Sequence, residues 1–135
     1  MAYRRGSTTY VCRQCTDSIL QRPQALIGTL RGDAAKFGAT IDFSVFIEAL
    51  IEIGFRADNK QSTTDVVVLW APPQFGETAQ NISISRPPSP TEWPADEQAI
   101  VAEQLQERFG LVPGICIRFN GALAYGSAIF IEADD

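Results

Sequence analysis

Two cysteines near the start of the chain have the spacing of half a zinc site. Cys12 and Cys15 are separated by two residues, and Cys116 is the third cysteine of the chain. Structural zinc takes four ligands from cysteine, histidine or carboxylate, and the sequence contains no histidine. A complete site would therefore need Asp17 as a fourth ligand. We expect no metal or other cofactor, and interpret Cys12 and Cys15 as two exposed thiols.

The remaining candidates are groups that bind rather than catalyse. Trp70 and Trp93 flank a proline-rich segment, where they would form a partner-binding groove, because tryptophan is enriched in interface hot spots. The alternative places Trp70 in the core and Trp93 as a cover over the start of a helix. Arg86 and Arg108 are scattered bases, which we interpret as solvated, although they could converge with Lys60 on one surface.

Acidic residues recur along the segment that follows Trp93. Asp96, Glu97, Glu103 and Glu107 could suggest a catalytic pair of carboxylates. The helical periodicity places them on an outer face, where charge is ordinarily solvated, and Glu103 and Glu107 are like charges at i, i+4. We expect no catalytic role for them.

Charge is distributed unevenly along the chain. Residues 1–31 contain five arginines and one acidic residue, whereas the remainder contains six basic and fifteen acidic residues. Nucleic-acid surfaces need clustered Lys and Arg, so the acidic remainder disfavours that partner. The basic segment resembles a mitochondrial transit peptide in composition, and a disordered basic tail is the alternative. We predict a leader over 1–31 and a single domain over 32–135.

Two amphipathic helices should position these groups. The first, over 42–53, begins at the N-cap residue Asp42 and ends before Gly54. The second begins near Pro94, carries a buried stripe and ends at Gly110. The stripe residues are Val101, Leu105 and Phe109.

Strands are predicted on either side of the second helix. The apolar run 66–70 is typical of a strand buried on both faces, and Ile82 and Ile84 alternate with polar residues. A hairpin should form around Asn120-Gly121. Short turns join antiparallel strands, so we predict an α+β fold with one antiparallel sheet of about four to five strands and helices packed on one face.

Four segments of this chain resemble the fungal type of HicA-like domain, a small relative of the double-stranded-RNA-binding domain. They are FIEALIEIGF at 46–55, VVVLWAPP at 66–73, ISISRP at 82–87 and QLQERFGL at 104–111. The resemblance implies an α+β fold over residues 42–111. It also implies a strand histidine as the acid or base of RNA cleavage in the active members, but here Ser85-Arg86-Pro87-Pro88 replaces the family's His-Arg-Pro-His.

A serine with an ordinary hydroxyl cannot act as a general base near pH 7. We therefore predict a non-enzymatic binding or assembly module that lacks nuclease chemistry. One alternative is an RNA-binding or residual RNA-cleaving module that uses Ser85, Arg86 and Arg108. Another is a mitochondrial assembly subunit whose leader is cleaved.

The expected partner is a protein or a second copy of the chain, with RNA kept as the alternative. No apolar run approaches the roughly 20 residues of a membrane helix, so we expect no membrane association. The odd cysteine count favours a reducing, intracellular and cytoplasmic location over a disulfide framework, with the mitochondrial matrix as the alternative. The binding candidates are Ser85, Arg86, Arg108, Trp70 and Trp93.

Overall fold

The computed structural model describes the backbone of most of the chain and the side chains of its central part. The backbone is described for residues 2–5, 8–12, 21–72, 80–112, 116–119, 122–125 and 128–132. Side chains are described within 21–72 and 80–112. The α+β class is confirmed.

Eight strands and four helices lie in the described residues. The strands are β1 (Ala2–Arg5), β2 (Thr8–Cys12), β3 (Arg56–Ala57), β4 (Val66–Trp70), β5 (Asn81–Ser85), β6 (Cys116–Phe119), β7 (Ala122–Tyr125) and β8 (Ala128–Glu132). The helices are α1 (Gln21–Arg31), α2 (Asp33–Phe37), α3 (Phe43–Glu52) and α4 (Ala95–Phe109).

Local capping explains where α3 and α4 begin and end. The Asp42 carboxylate accepts a hydrogen bond from the Val45 N–H at 3.2 Å, which satisfies one of the free donors of the first turn of α3. Pro94 precedes the first residue of α4, and Gly110 ends the helix with φ of 70°, a conformation that glycine adopts without a steric penalty. The predicted bounds of both helices are confirmed to within about two residues.

β3, β4 and β5 form a three-stranded antiparallel sheet with β4 at its centre. Val67 pairs with Ile84 and Leu69 pairs with Ile82, so these four buried side chains share one face. Val68, on the opposite face, is also buried, which confirms the prediction that β4 is covered on both sides. This sheet has fewer strands than the four to five predicted from sequence.

The other strands belong to a second antiparallel sheet, in the order β1-β2-β8-β7-β6. β6 and β7 pair antiparallel as the predicted hairpin requires, although its turn residues Asn120 and Gly121 lie outside the described residues. Hydrogen bonds between the first and last segments of the chain cannot be inferred from local periodicity. The sequence analysis therefore placed β1 and β2 in an irregular leader.

Part of the predicted leader is packed into the core. α1 carries Pro23 in its first turn, and its residues Leu26, Ile27 and Leu30 are at most 4% exposed. Gln106 of α4 donates a hydrogen bond from its amide to the Leu30 carbonyl at 3.4 Å. The packed part of the chain thus includes residues that composition assigned to the leader.

One hydrophobic core joins α1, α3 and α4 to the inner face of the three-stranded sheet. The largest fully buried side chains include Phe46, Leu50, Leu69, Ile82 and Leu105. The rings of Phe55 and Phe109 meet edge to face with centroids 5.5 Å apart, which fixes the end of α4 next to β3. The predicted buried face of α4 is confirmed.

We predict that Leu105→Ala lowers the free energy of unfolding by about 2–5 kcal/mol, because it removes buried methyl groups and leaves a cavity. Leu105 is completely buried, whereas Glu103 on the same helix is exposed. Glu103→Ala is the matched control and should change stability by less than about 0.5 kcal/mol. Urea unfolding followed by circular dichroism measures both. An equal effect of the two substitutions would contradict the assigned buried face.

Candidate binding groove at the edge of β5

The outer edge of β5 carries backbone groups that no other strand of the described residues uses. The Ala71 N–H donates to the Gln80 carbonyl and the Arg86 N–H donates to the Asp65 carbonyl, each at 2.8 Å. Backbone groups alternate in direction along an antiparallel strand, so Ile82 and Ile84 bond to β4. The N–H and C=O groups of three residues therefore point away from the sheet. These residues are Asn81, Ser83 and Ser85.

Helix α4 runs beside this edge and forms the other wall of a cavity of about 240 Å³. Trp93, just before α4, lines the cavity together with three residues of the helix. These are Glu97, Ile100 and Gln104, whose spacing of three and four residues places them on one side of α4. The β5 side contributes Ser83, Ile84 and Ser85. We call the cavity together with the outer edge of β5 the edge groove.

The edge groove lies open at the side of the sheet rather than inside the core. Ser83 and Ser85 alternate with the buried Ile82 and Ile84, so their side chains face away from the helices. They can share a cavity with Trp93 only through atoms at the strand edge. Ile100, the large apolar side chain of the groove, is 57% exposed.

Trp93 forms the inner end of the edge groove. Its side chain is only 5% exposed, and its ring centroid lies 5.1 Å from that of Phe43 and 4.8 Å from that of Phe46. The Gln98 side-chain amide donates to the Trp93 carbonyl at 2.9 Å, which holds the segment before α4 against the helix. The indole ring is thus fixed by contacts on several sides.

Two buried polar atoms of the edge groove have no hydrogen-bond partner within the described part of the chain. They are Nε1 of Trp93 and Oε2 of Glu97. A buried polar atom without a partner costs about 1–3 kcal/mol, and more when the group is charged. A ligand that supplied an acceptor to the indole and a donor to the carboxylate would remove that cost.

Glu97 is a functional candidate that sequence analysis missed. The prediction placed it on the solvated face of α4, but the residue is partly buried and its Oε2 is inaccessible to solvent. The spacing of Glu97, Ile100 and Gln104 could have indicated their shared side of α4, because they are three and four residues apart. The opposing edge of β5 could not be inferred, because strand order is set by tertiary pairing.

The other predicted tryptophan lies on a different surface. Trp70 faces the side of the sheet opposite Leu69 and is partly exposed. Its indole N–H donates to Asp58 Oδ2 at 3.0 Å. Asp58 also accepts from the backbone N–H groups of Lys60 and Gln61, so the hydrogen-bonding group of Trp70 is already satisfied.

The predicted cationic residues do not converge. Ser85 lines the edge groove, but the Arg86 Nε donates to the Thr63 carbonyl at 3.0 Å. The guanidinium carbon of Arg108 lies 5.3 Å from the centroid of the Phe109 ring, at the far end of α4 from Trp93. A helix of fifteen residues is about 22 Å long, so Arg108 and Trp93 lie far apart.

The described residues contain no group of three or more His, Cys, Asp or Glu side chains that could hold a metal ion. Cys12 ends β2 and Cys116 begins β6, whereas Cys15 lies outside the described residues.

A second cavity of about 340 Å³ lies between α1 and the segment before α3. Its two carboxylates are already engaged, because Asp33 pairs with Arg31 and Asp42 caps α3. These contacts give Asp33 and Asp42 structural roles that do not require a ligand. The edge groove, with its unpaired groups, is the stronger candidate.

No protein-family model, curated protein or solved structure matches this chain. None of the described helices is long and apolar enough to cross a membrane. Functional inference therefore starts from the geometry of the edge groove.

We predict that the bond between Trp70 and Asp58 stabilises the fold in a pH-dependent manner. Hydrogen bonding from the Trp70 indole, followed by the backbone N–H of Gln61, lowers the pKa of Asp58 below its ordinary value of 3.8. This contribution is fully present above the unfolded-state pKa and disappears as pH falls through the folded-state pKa. Asp58→Asn should therefore lower the melting temperature at pH 7 but progressively less below pH 4.

Thermal melting of wild type and variant between pH 2.5 and pH 7 measures this dependence. Asp65→Asn is the matched control, because no hydrogen bond to the exposed Asp65 carboxylate is present in the described structure. A melting-temperature difference for Asp58→Asn that stayed constant across this range would contradict the assignment.

Proposed function

We propose that this chain is a non-enzymatic protein-binding or assembly module, similar to HicA-like domains but without nuclease chemistry. In this proposal a partner protein adds an extended strand to the outer edge of β5. The observation that carries the proposal is the row of outward N–H and C=O groups at Asn81, Ser83 and Ser85, next to a cavity with unpaired buried polar atoms.

Strand addition is a recurring mode of peptide recognition, in which main-chain hydrogen bonds supply affinity and side-chain pockets supply specificity. Each such bond contributes about 0.5–1.5 kcal/mol net. Three outward residues of β5 offer both a donor and an acceptor, so a partner strand could form several bonds at once. The cavity beside the strand would receive partner side chains.

The composition of β5 supports an edge that accepts a partner. Exposed sheet edges are commonly protected by proline, by charged side chains or by bulges. The sequence of β5 is NISIS, which has neither proline nor charge, and its five residues pair with β4 without interruption. A free edge of this kind favours pairing with another strand.

The resemblance to HicA-like domains belongs to this proposal. Its four segments fall in α3, β4, β5 and α4 and in the residues that directly follow them, of which Pro73 lies outside the described residues. The RNA-binding alternative has weaker support, because Arg86 is held by the Thr63 carbonyl and Arg108 lies at the far end of α4. The excess of acidic residues over 32–135 also disfavours a polyanionic partner.

We predict that Ser83→Pro abolishes partner binding but leaves the fold intact. Proline removes the outward N–H of Ser83, which is not used by β4, and proline is tolerated at sheet edges. Ser83→Thr retains the N–H and is the matched control. Pull-down from native extract, with and without ribonuclease, should recover the same protein partner with wild type and Ser83→Thr but not with Ser83→Pro.

Two results would contradict the proposal. One is a partner retained equally by Ser83→Pro and Ser83→Thr, and the other is a partner lost on ribonuclease treatment, which would favour the RNA-binding alternative. If Ser83→Pro proves unfolded by circular dichroism, hydrogen exchange of the wild-type complex decides instead. Strand addition should slow amide exchange at Ser83 and Ser85, and unchanged exchange there would contradict it.

A further inference from the structure

The edge groove combines apolar contact, an open strand edge and a partly buried carboxylate. Ile100 presents an exposed apolar side chain. The Trp93 N–H and one carboxylate oxygen of Glu97 have no hydrogen-bond partner among the described residues. When a carboxylate is ionised, its oxygens accept hydrogen bonds but cannot donate them. The best partner for it is therefore a donor that also carries positive charge.

We propose that the edge groove recognises a basic extended segment of a partner protein, in which a lysine or arginine side chain reaches Glu97. This inference rests on the proposed function, because it assumes that the segment pairs with β5. The backbone of the added strand would use the outward groups at Ser83 and Ser85. Its apolar side chains would cover Ile100, and its cation would enter the cavity.

Charge around the groove favours this class of partner over the others. α4 carries four acidic residues and one basic residue, and the basic residue, Arg108, lies at the end far from Trp93. β5 itself is uncharged. An acidic strand would therefore meet a partly buried carboxylate and an acidic helix, whereas a basic strand would meet complementary charge.

A second copy of the chain fits the groove less well. β5 could pair with β5 of another molecule about a two-fold axis, because its edge is unprotected. Such a pair would bring a second α4, with four acidic residues and one basic residue, to the same edge. The charge that α4 adds is mainly acidic, which does not complement the Glu97 carboxylate.

The inference can be tested with the full chain and three synthetic peptides of about seven residues, close to the usual length of a strand. The peptides are Thr-Lys-Val-Lys-Val-Lys-Thr and the versions with Glu or Gln in place of Lys. Fluorescence polarisation measures binding at low and at physiological salt. The basic peptide should bind most tightly, and salt should weaken that binding.

Matched substitutions on α4 separate a specific contact from general attraction. Glu97→Gln and Glu103→Gln remove the same charge, but Glu103 is exposed and does not line the cavity. A charge-assisted hydrogen bond corresponds to about a ten- to hundredfold change in affinity. Glu97→Gln should lower the affinity for the basic peptide by this factor, and Glu103→Gln should lower it much less.

Three outcomes would overturn the inference. If the neutral or acidic peptide binds as tightly as the basic one, or if Glu97→Gln and Glu103→Gln have equal effects, the partner is not selected by its cation. Absence of binding by all three peptides would also reject it. If sedimentation shows a dimer that Ser83→Pro dissociates, the occupant is a second copy.

These outcomes are distinguishable from failure of the proposed function. If Ser83→Pro loses peptide binding and Ser83→Thr keeps it, strand addition to β5 is supported, even when the three peptides bind equally and the charge inference fails. If the native partner binds Ser83→Pro as tightly as wild type, strand addition to β5 is contradicted, whichever peptide binds.

Discussion

The packing of Trp93 against Phe43 and Phe46 is the contact on which the arrangement of the edge groove depends. It joins the segment before α4 to the start of α3, and the Phe43 N–H reinforces this junction by donating to the Pro90 carbonyl at 2.8 Å. Aromatic rings of this size bury a large apolar area and prefer tilted or edge-to-face contacts. The position of α4 beside β5 follows from this junction.

The same junction leaves the Trp93 indole N–H buried and without a hydrogen-bond partner among the described residues. The indole ring is held by apolar contacts, so its N–H cannot turn toward another acceptor. Glu97, in the first turn of α4, has an oxygen without a partner among the described residues for a related reason, because the helix fixes where its side chain begins. Unpaired polar atoms in a folded protein call for an explanation, and ligand binding is one that can be measured.

Binding at a strand edge would explain how a chain without histidine could act. Such binding uses backbone groups, which every residue has, and requires few special side chains. Sequence motifs are therefore weak at such a site. The central helices and strands supply the scaffold, whereas the contacts that we propose for recognition come from β5 and from one side of α4.

The sequence by itself determined α3 and α4 with their caps, and the strands β4 and β5. Asp42, Gly54 and Gly110 act through local backbone geometry, and the alternation of Ile82 and Ile84 reports which side of β5 is buried. Only the tertiary structure decided that Ser83 has its backbone groups at a free edge, that Glu97 is partly buried, and that the strands divide between two sheets. Those properties depend on which segments pair across long sequence separations, and local periodicity carries no information about that choice.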